Sequence, residues 1–213
     1  MLFSIICCLV TITIGYKSRY KFPELKFLYL YPLASFIQLI IAFCLDATGS
    51  DIRSIFERIS TNIFLLIEFV LIFNFFWKIL KLRLTKNIMT VIAGFYFITL
   101  SIFWGLLKGI LTFPTNFFLI QAFCIIILGY SYFYELFKTP LASNLLNEPP
   151  FWVVIGLVSY FECTLPLFFM KDFIIDKMGI IRELDLYAIN FFCYGIMFML
   201  ITKAYLCKPR GVK

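Results

Sequence analysis

NIFLLIEFVLIFNFF, residues Asn62 to Phe76, is the stretch that decides the fold. It is polar only at Asn62, Glu68 and Asn74. It belongs to a longer apolar segment, Thr61–Ile79, close to the roughly 20 residues a helix needs to cross about 30 Å of hydrocarbon. Working outward, charged residues cut the 213-residue chain into seven such segments: Leu2–Tyr16, Phe27–Leu45, Thr61–Ile79, Ile88–Leu106, Phe117–Leu136, Phe151–Met170 and Tyr187–Leu206. The connections between them are short. The expected fold is therefore all-α, a single transmembrane domain over residues 1–213 built as a seven-helix bundle. Composition agrees: 62% of residues are hydrophobic and 15% charged, whereas soluble domains run at about 45–50% and about 25%.

The first segment differs from a secretory signal. MLFSIICCLVTITIGYKSRYK has no Lys or Arg before its apolar run and a basic cluster after it, the pattern of a retained span with its N-terminus outside. The remaining charges extend that orientation. An N-out, C-in arrangement places 13 of the 19 Lys and Arg inside: Lys17, Arg19, Lys21 and Lys26; Lys78, Lys81, Arg83 and Lys86; Lys138; and Lys203, Lys208, Arg210 and Lys213. Arg53, Arg58, Lys108, Lys171, Lys177 and Arg182 fall outside. This asymmetry follows the positive-inside rule and points to a multi-pass protein of the inner (cytoplasmic) membrane. Contact with anionic lipid accounts for the net charge of +7 without any nucleic-acid partner.

The chain contains no His, and its seven Cys lie in or at the ends of apolar segments with no CxxC spacing. Imidazole-based metal sites and Ser-His chemistry are thereby disfavoured. No Gly-rich phosphate loop is present, so neither a metal nor a cofactor is expected, and the chain reads as a non-enzyme.

Depth along the spans groups the polar residues. On the N-out arrangement Gln38, Glu68, Gln121, Glu162 and Asn190 come from five different segments and all fall about 5–12 Å below the outer boundary. Residues three, four and seven apart share a helix face. By that rule Tyr31 and Ser35 stripe with Gln38, Ser159 with Glu162, and Tyr187 and Tyr194 with Asn190. Amides and hydroxyls in spans commonly tie helices together at about 0.6 kcal/mol per bond. A carboxylate costs about 2.5–3.5 kcal/mol at a span centre and so marks a functional site by default. The expected pocket comprises Glu68, Glu162, Gln38, Gln121, Asn190, Ser35, Ser159 and Tyr194, with the two acids facing one cavity in the outer half. Asn74 is rotated away and deeper. Pro149 and Pro150 mark the start of the sixth segment, with Trp152 as an interfacial anchor, and Lys203 snorkels to the headgroups.

NIFLLIEFVLIFNFFWKILK, NEPPFWVVIGLVSYFECTLPLFFM and LYAINFFCYGIMFMLITKAYLCK resemble the third, sixth and seventh spans of a group of uncharacterised seven-helix integral membrane proteins of Bacteroidetes. An acid in an I-E-[FY] setting and a P-x-F-W-x-x-x-G-x-x-x-Y-F start carry the likeness over about half the chain. It singles out Glu68, Phe151, Trp152, Gly156, Tyr160, Phe161 and Asn190. The resemblance implies an association with sensory histidine kinases, beside which members of the group are often found. The favoured expectation is a sensory or signalling-accessory protein that reads a small ligand in the outer pocket and works with a membrane-bound partner such as a histidine kinase. The alternative is a small-solute or proton/cation transporter using Glu68 and Glu162, which requires a polar path continuing inward. An intramembrane lipid enzyme with the two acids as general acid and base ranks last.

Overall fold

The computed structural model describes residues 2–18, 20–46, 51–105, 115–138, 145–170 and 183–207. Seven α-helices account for nearly all of them, and no strand occurs among the described residues: α1 (Leu2–Ser18), α2 (Leu30–Asp46), α3 (Asp51–Ile79), α4 (Arg83–Gly105), α5 (Thr115–Lys138), α6 (Pro149–Phe169) and α7 (Glu183–Leu206). In hydrocarbon each backbone N–H and C=O must be satisfied within its own segment, and long apolar runs meet that demand as helices. By length and composition six stretches can cross a membrane: Pro23–Leu45, Ile55–Ile79, Arg83–Gly105, Asn116–Lys138, Pro149–Phe169 and Leu186–Leu206. Together they mark a multi-pass membrane protein. At 17 residues, α1 rises about 25 Å and is a shorter apolar helix.

Each expected segment corresponds to one helix, but α3 starts at Asp51 rather than at Thr61. The turns before Thr61 are polar, which ended the apolar run in the sequence without ending the helix. At the other side of the bundle, α6 starts where its two prolines predict: Glu148 is extended and Pro149 opens the helix. Pro166 lies inside α6, whose last turn is closed by a bond from Met170 N–H to Pro166 O (3.0 Å). Leu106, Arg19, Lys108, Lys171, Lys177, Arg182, Lys208, Arg210 and Lys213 lie outside the described residues.

Neighbouring contacts close a ring of six helices in the order α1, α2, α3, α5, α6, α7 and back to α1. Helix α4 lies outside it, packed on α5, and touches α3 through Tyr96, whose ring stacks on Phe69 with centroids 3.5 Å apart. One hydrophobic cluster fills the ring, while the bundle's outside carries exposed Phe43, Val91, Ile98 and Phe137. Apolar surface of that extent is what lipid covers. Small residues draw the helices together. A Cβ on Gly129 would sit 2.2 Å from Val158 Cγ2, across α5 and α6, and one on Gly156 would sit 3.2 Å from Met197 O, across α6 and α7. Thr11 Oγ1 pairs with Thr202 Oγ1 (2.8 Å) and donates to Phe198 O (3.1 Å), tying α1 to α7.

Candidate functional site

The site grows from two stripes. On α2, Tyr31, Ser35 and Gln38 project to one side; Tyr31 and Ser35 are buried and Gln38 is half-buried. On α3, Glu57, Thr61, Phe64, Leu65 and Glu68 recur at helical spacing, and all five line one cavity of about 220 Å³. Helices α5, α6 and α7 complete the wall with Phe118, Tyr160, Asn190 and Tyr194 among others. Glu57, Ala42, Phe168 and Tyr187 belong to the helix ends that form the mouth. Glu68 lies eleven residues along α3 from Glu57, so the floor is about 16 Å below the rim.

Glu68 is 2% exposed, and its two oxygens have separate donors. Tyr31 O–H donates to Oε1 (2.8 Å) and Gln121 Nε2 to Oε2 (2.7 Å). Gln121 Oε1 in turn accepts from Tyr96 O–H (3.1 Å), which orients the amide with its N–H groups toward the acid. A carboxylate offers about four acceptor positions, so these two bonds leave acceptor capacity on a residue that lines the cavity. Above the floor, Tyr194 O–H donates to Ser35 Oγ (2.7 Å), Ser35 Oγ–H to Tyr31 O (2.9 Å), and Tyr160 O–H to Asn190 Oδ1 (3.2 Å). Gln38 Nε2 donates to Thr61 Oγ1 (3.1 Å) near the rim. Below the floor stand Phe69, Ile72, Phe76, Phe198 and Ile201, each 2% exposed or less, and the Thr11–Thr202 pair there is spent on the α1–α7 contact.

No family model, curated protein or solved structure matches this chain.

Of the eight residues expected in the pocket, Ser35, Gln38, Glu68, Asn190 and Tyr194 line it together. Gln121 lies behind the floor, bonded to Glu68 and fully buried. Ser159 and Glu162 are elsewhere, which corrects the expectation of a cavity shared by two acids. Both are exposed on the outside of α6, and Tyr130 of α5 donates to Glu162 Oε1. Depth along α6 placed Glu162 at the right level, but rotation decides the face. Val153, Val154, Leu157, Tyr160, Phe161 and Thr164 form the buried arc, and Glu162 stands about 200° around the axis from Tyr160. The broader apolar arc went inward, and Tyr130 satisfies the acid from the side.

Two acids were missed. Glu57 shares the face of Glu68, since eleven residues complete about three turns, but it precedes Thr61, where the apolar run begins. Glu135 is buried near the end of α5 and receives Lys81 N–H at Oε1 and Oε2 (3.0 and 2.9 Å), Leu82 N–H (2.8 Å) and Thr85 O–H. That is a cap for the start of α4, supplied by a different helix, and only the tertiary fold brings it there. Among the described residues no cluster of His, Cys, Asp or Glu is arranged to hold a metal ion.

Proposed function

We propose that this chain is a seven-span sensory or signalling-accessory protein of the inner membrane, with its N-terminus and pocket mouth outside and its C-terminus inside. The observation that carries the reading is the blind pocket: a polar floor at Glu68 open toward one bundle end, with packed apolar core beneath it. A site that admits a molecule but gives it no onward route suits recognition. The transporter alternative needs polar groups continuing below Glu68, where Phe69, Ile72, Phe76 and Phe198 stand instead.

Charge distribution supports the orientation. At the end opposite the mouth, cations stand over aromatic rings: Lys78 over Phe27 (4.3 Å), Lys86 over Trp77 (4.0 Å), Lys138 over Tyr134 (5.0 Å) and Lys203 over Trp152 (5.9 Å). Lys beside amphipathic rings suits the headgroup layer of the inner leaflet. The kinase partner is proposed from the resemblance of the third, sixth and seventh segments.

Two measurements on the full chain test this function. Reconstituted liposomes are expected to pass neither protons nor monovalent cations, and protein purified from native membranes is expected to bring a histidine kinase whose autophosphorylation changes with Glu68→Gln. Ion flux that disappears in Glu68→Gln overturns the sensory reading in favour of transport.

A further inference from the structure

The lining of the pocket narrows the chemistry of what it takes. Its described residues include two carboxylates, Glu57 at the rim and Glu68 at the floor, and no Lys or Arg. An anion would enter against both acids, with no cation among the described lining residues to receive it. A molecule without an N–H or O–H donor would leave the remaining acceptor positions of Glu68 unmet, which is costly in a buried site, and a neutral donor meets them less strongly than a charged one. A bare metal ion is equally unsuited, because hard cations take about six or more oxygen ligands and the walls beside Glu68 are mostly rings and aliphatic chains.

Those rings supply the complementary feature. Phe64, Phe118, Tyr160 and Tyr194 line the cavity from four helices. Tyr160 and Tyr194 are tilted against each other with centroids 5.1 Å apart. Aromatic faces attract a cation within about 6 Å, most strongly where water is excluded, and they also pack its apolar body. The cavity of about 220 Å³ lies below the range of about 300–1,000 Å³ common for ligand pockets, so the occupant is small.

We propose that the pocket binds a small organic monocation, an ammonium on an aromatic or branched apolar body. Its N–H groups donate to Glu68, its body lies among Phe64, Phe118, Tyr160 and Tyr194, and Glu57 draws it to the rim. The assignment rests on the pocket being a ligand site and adds the charge of the ligand to that reading.

Three probes of similar shape and different charge test it by titration calorimetry on the purified full-length protein in nanodiscs: 2-phenylethylammonium, 2-phenylethanol and phenylacetate. The ammonium is expected to bind at least about tenfold more tightly than either of the others. Glu68→Gln weakens it about 10- to 100-fold, the loss expected of a charged hydrogen bond. Glu57→Gln, at a half-buried rim position, weakens it about two- to fivefold. If Glu68→Gln does not fold, Glu57→Gln decides, and unchanged ammonium affinity there overturns the proposal. Equal or tighter binding of the alcohol or the anion also overturns it while leaving a ligand pocket in place. Failure of all three probes to bind folded wild-type protein removes the cation assignment and the ligand-site reading together.

Discussion

Glu68 and Glu135 are both buried acids in an apolar bundle, yet they are held in different ways. Glu135 is met by two backbone N–H groups and a hydroxyl where α4 begins. The first N–H groups of a helix have no partner within it, and the helix dipole favours negative charge there. Three donors of that terminus converge on Glu135. Glu68 is met by single donors from two side chains and faces a cavity. Depth and burial alone do not separate a structural acid from one available to a ligand. What satisfies its oxygens does.

The largest effect is expected at the clasp. Glu135→Ala leaves the N–H groups of Lys81 and Leu82 without their acceptor and costs about 2–3 kcal/mol, read as a lowered unfolding midpoint in denaturant. Wild-type stability in this variant would mean that the start of α4 finds other partners and that the clasp is incidental. Next is the sealed interface between α5 and α6, where Gly129→Ala forces a methyl group onto the stiff side chain of Val158. A loss of about 1–3 kcal/mol is expected, with pocket affinity retained because neither Gly129 nor Val158 lines the cavity. Glu68→Gln sharpens the contrast from the other side. Its near-identical shape keeps the change in stability below about 1.5 kcal/mol while ligand affinity collapses. A stability loss larger than that of Glu135→Ala would reverse the two roles. The smallest effect on the pocket belongs to Glu162→Gln, which is exposed on the outside of α6 and should leave binding of 2-phenylethylammonium unaltered; a weakened affinity would bring that face into the site.

The helical architecture and the level of the polar layer were legible because both depend on the chain itself: run length, spacing of charges and residues per turn. Ser35, Gln38, Glu68, Asn190 and Tyr194 could be grouped from that information. The rotation of α6 could not. It is set by which arc buries more apolar surface against α5 and α7, a competition between neighbours that periodicity reports only weakly when nearly every position is apolar. Ser159 and Glu162 were assigned inward for that reason. Glu57 was lost to a boundary error, since polarity ended the predicted segment where the helix in fact continued. Glu135 needed the approach of α4 to the end of α5, which no local pattern encodes.

Helix α4 carries one last consequence. Outside the ring, it is fastened at its first turn by Glu135 and farther along by Tyr96, which reaches Glu68 through Gln121. The arrangement is that of an outrigger, pinned at one end and tethered midway to the very group a guest molecule would occupy. Cutting that tether tests how much of the seating of α4 it supplies: with Phe103 stacked on Phe117 and Leu100 buried, spin labels placed on α4 and α5 are expected to keep a narrow distance distribution in Gln121→Leu, and a broadened one would show that the Tyr96 bond alone seats the helix.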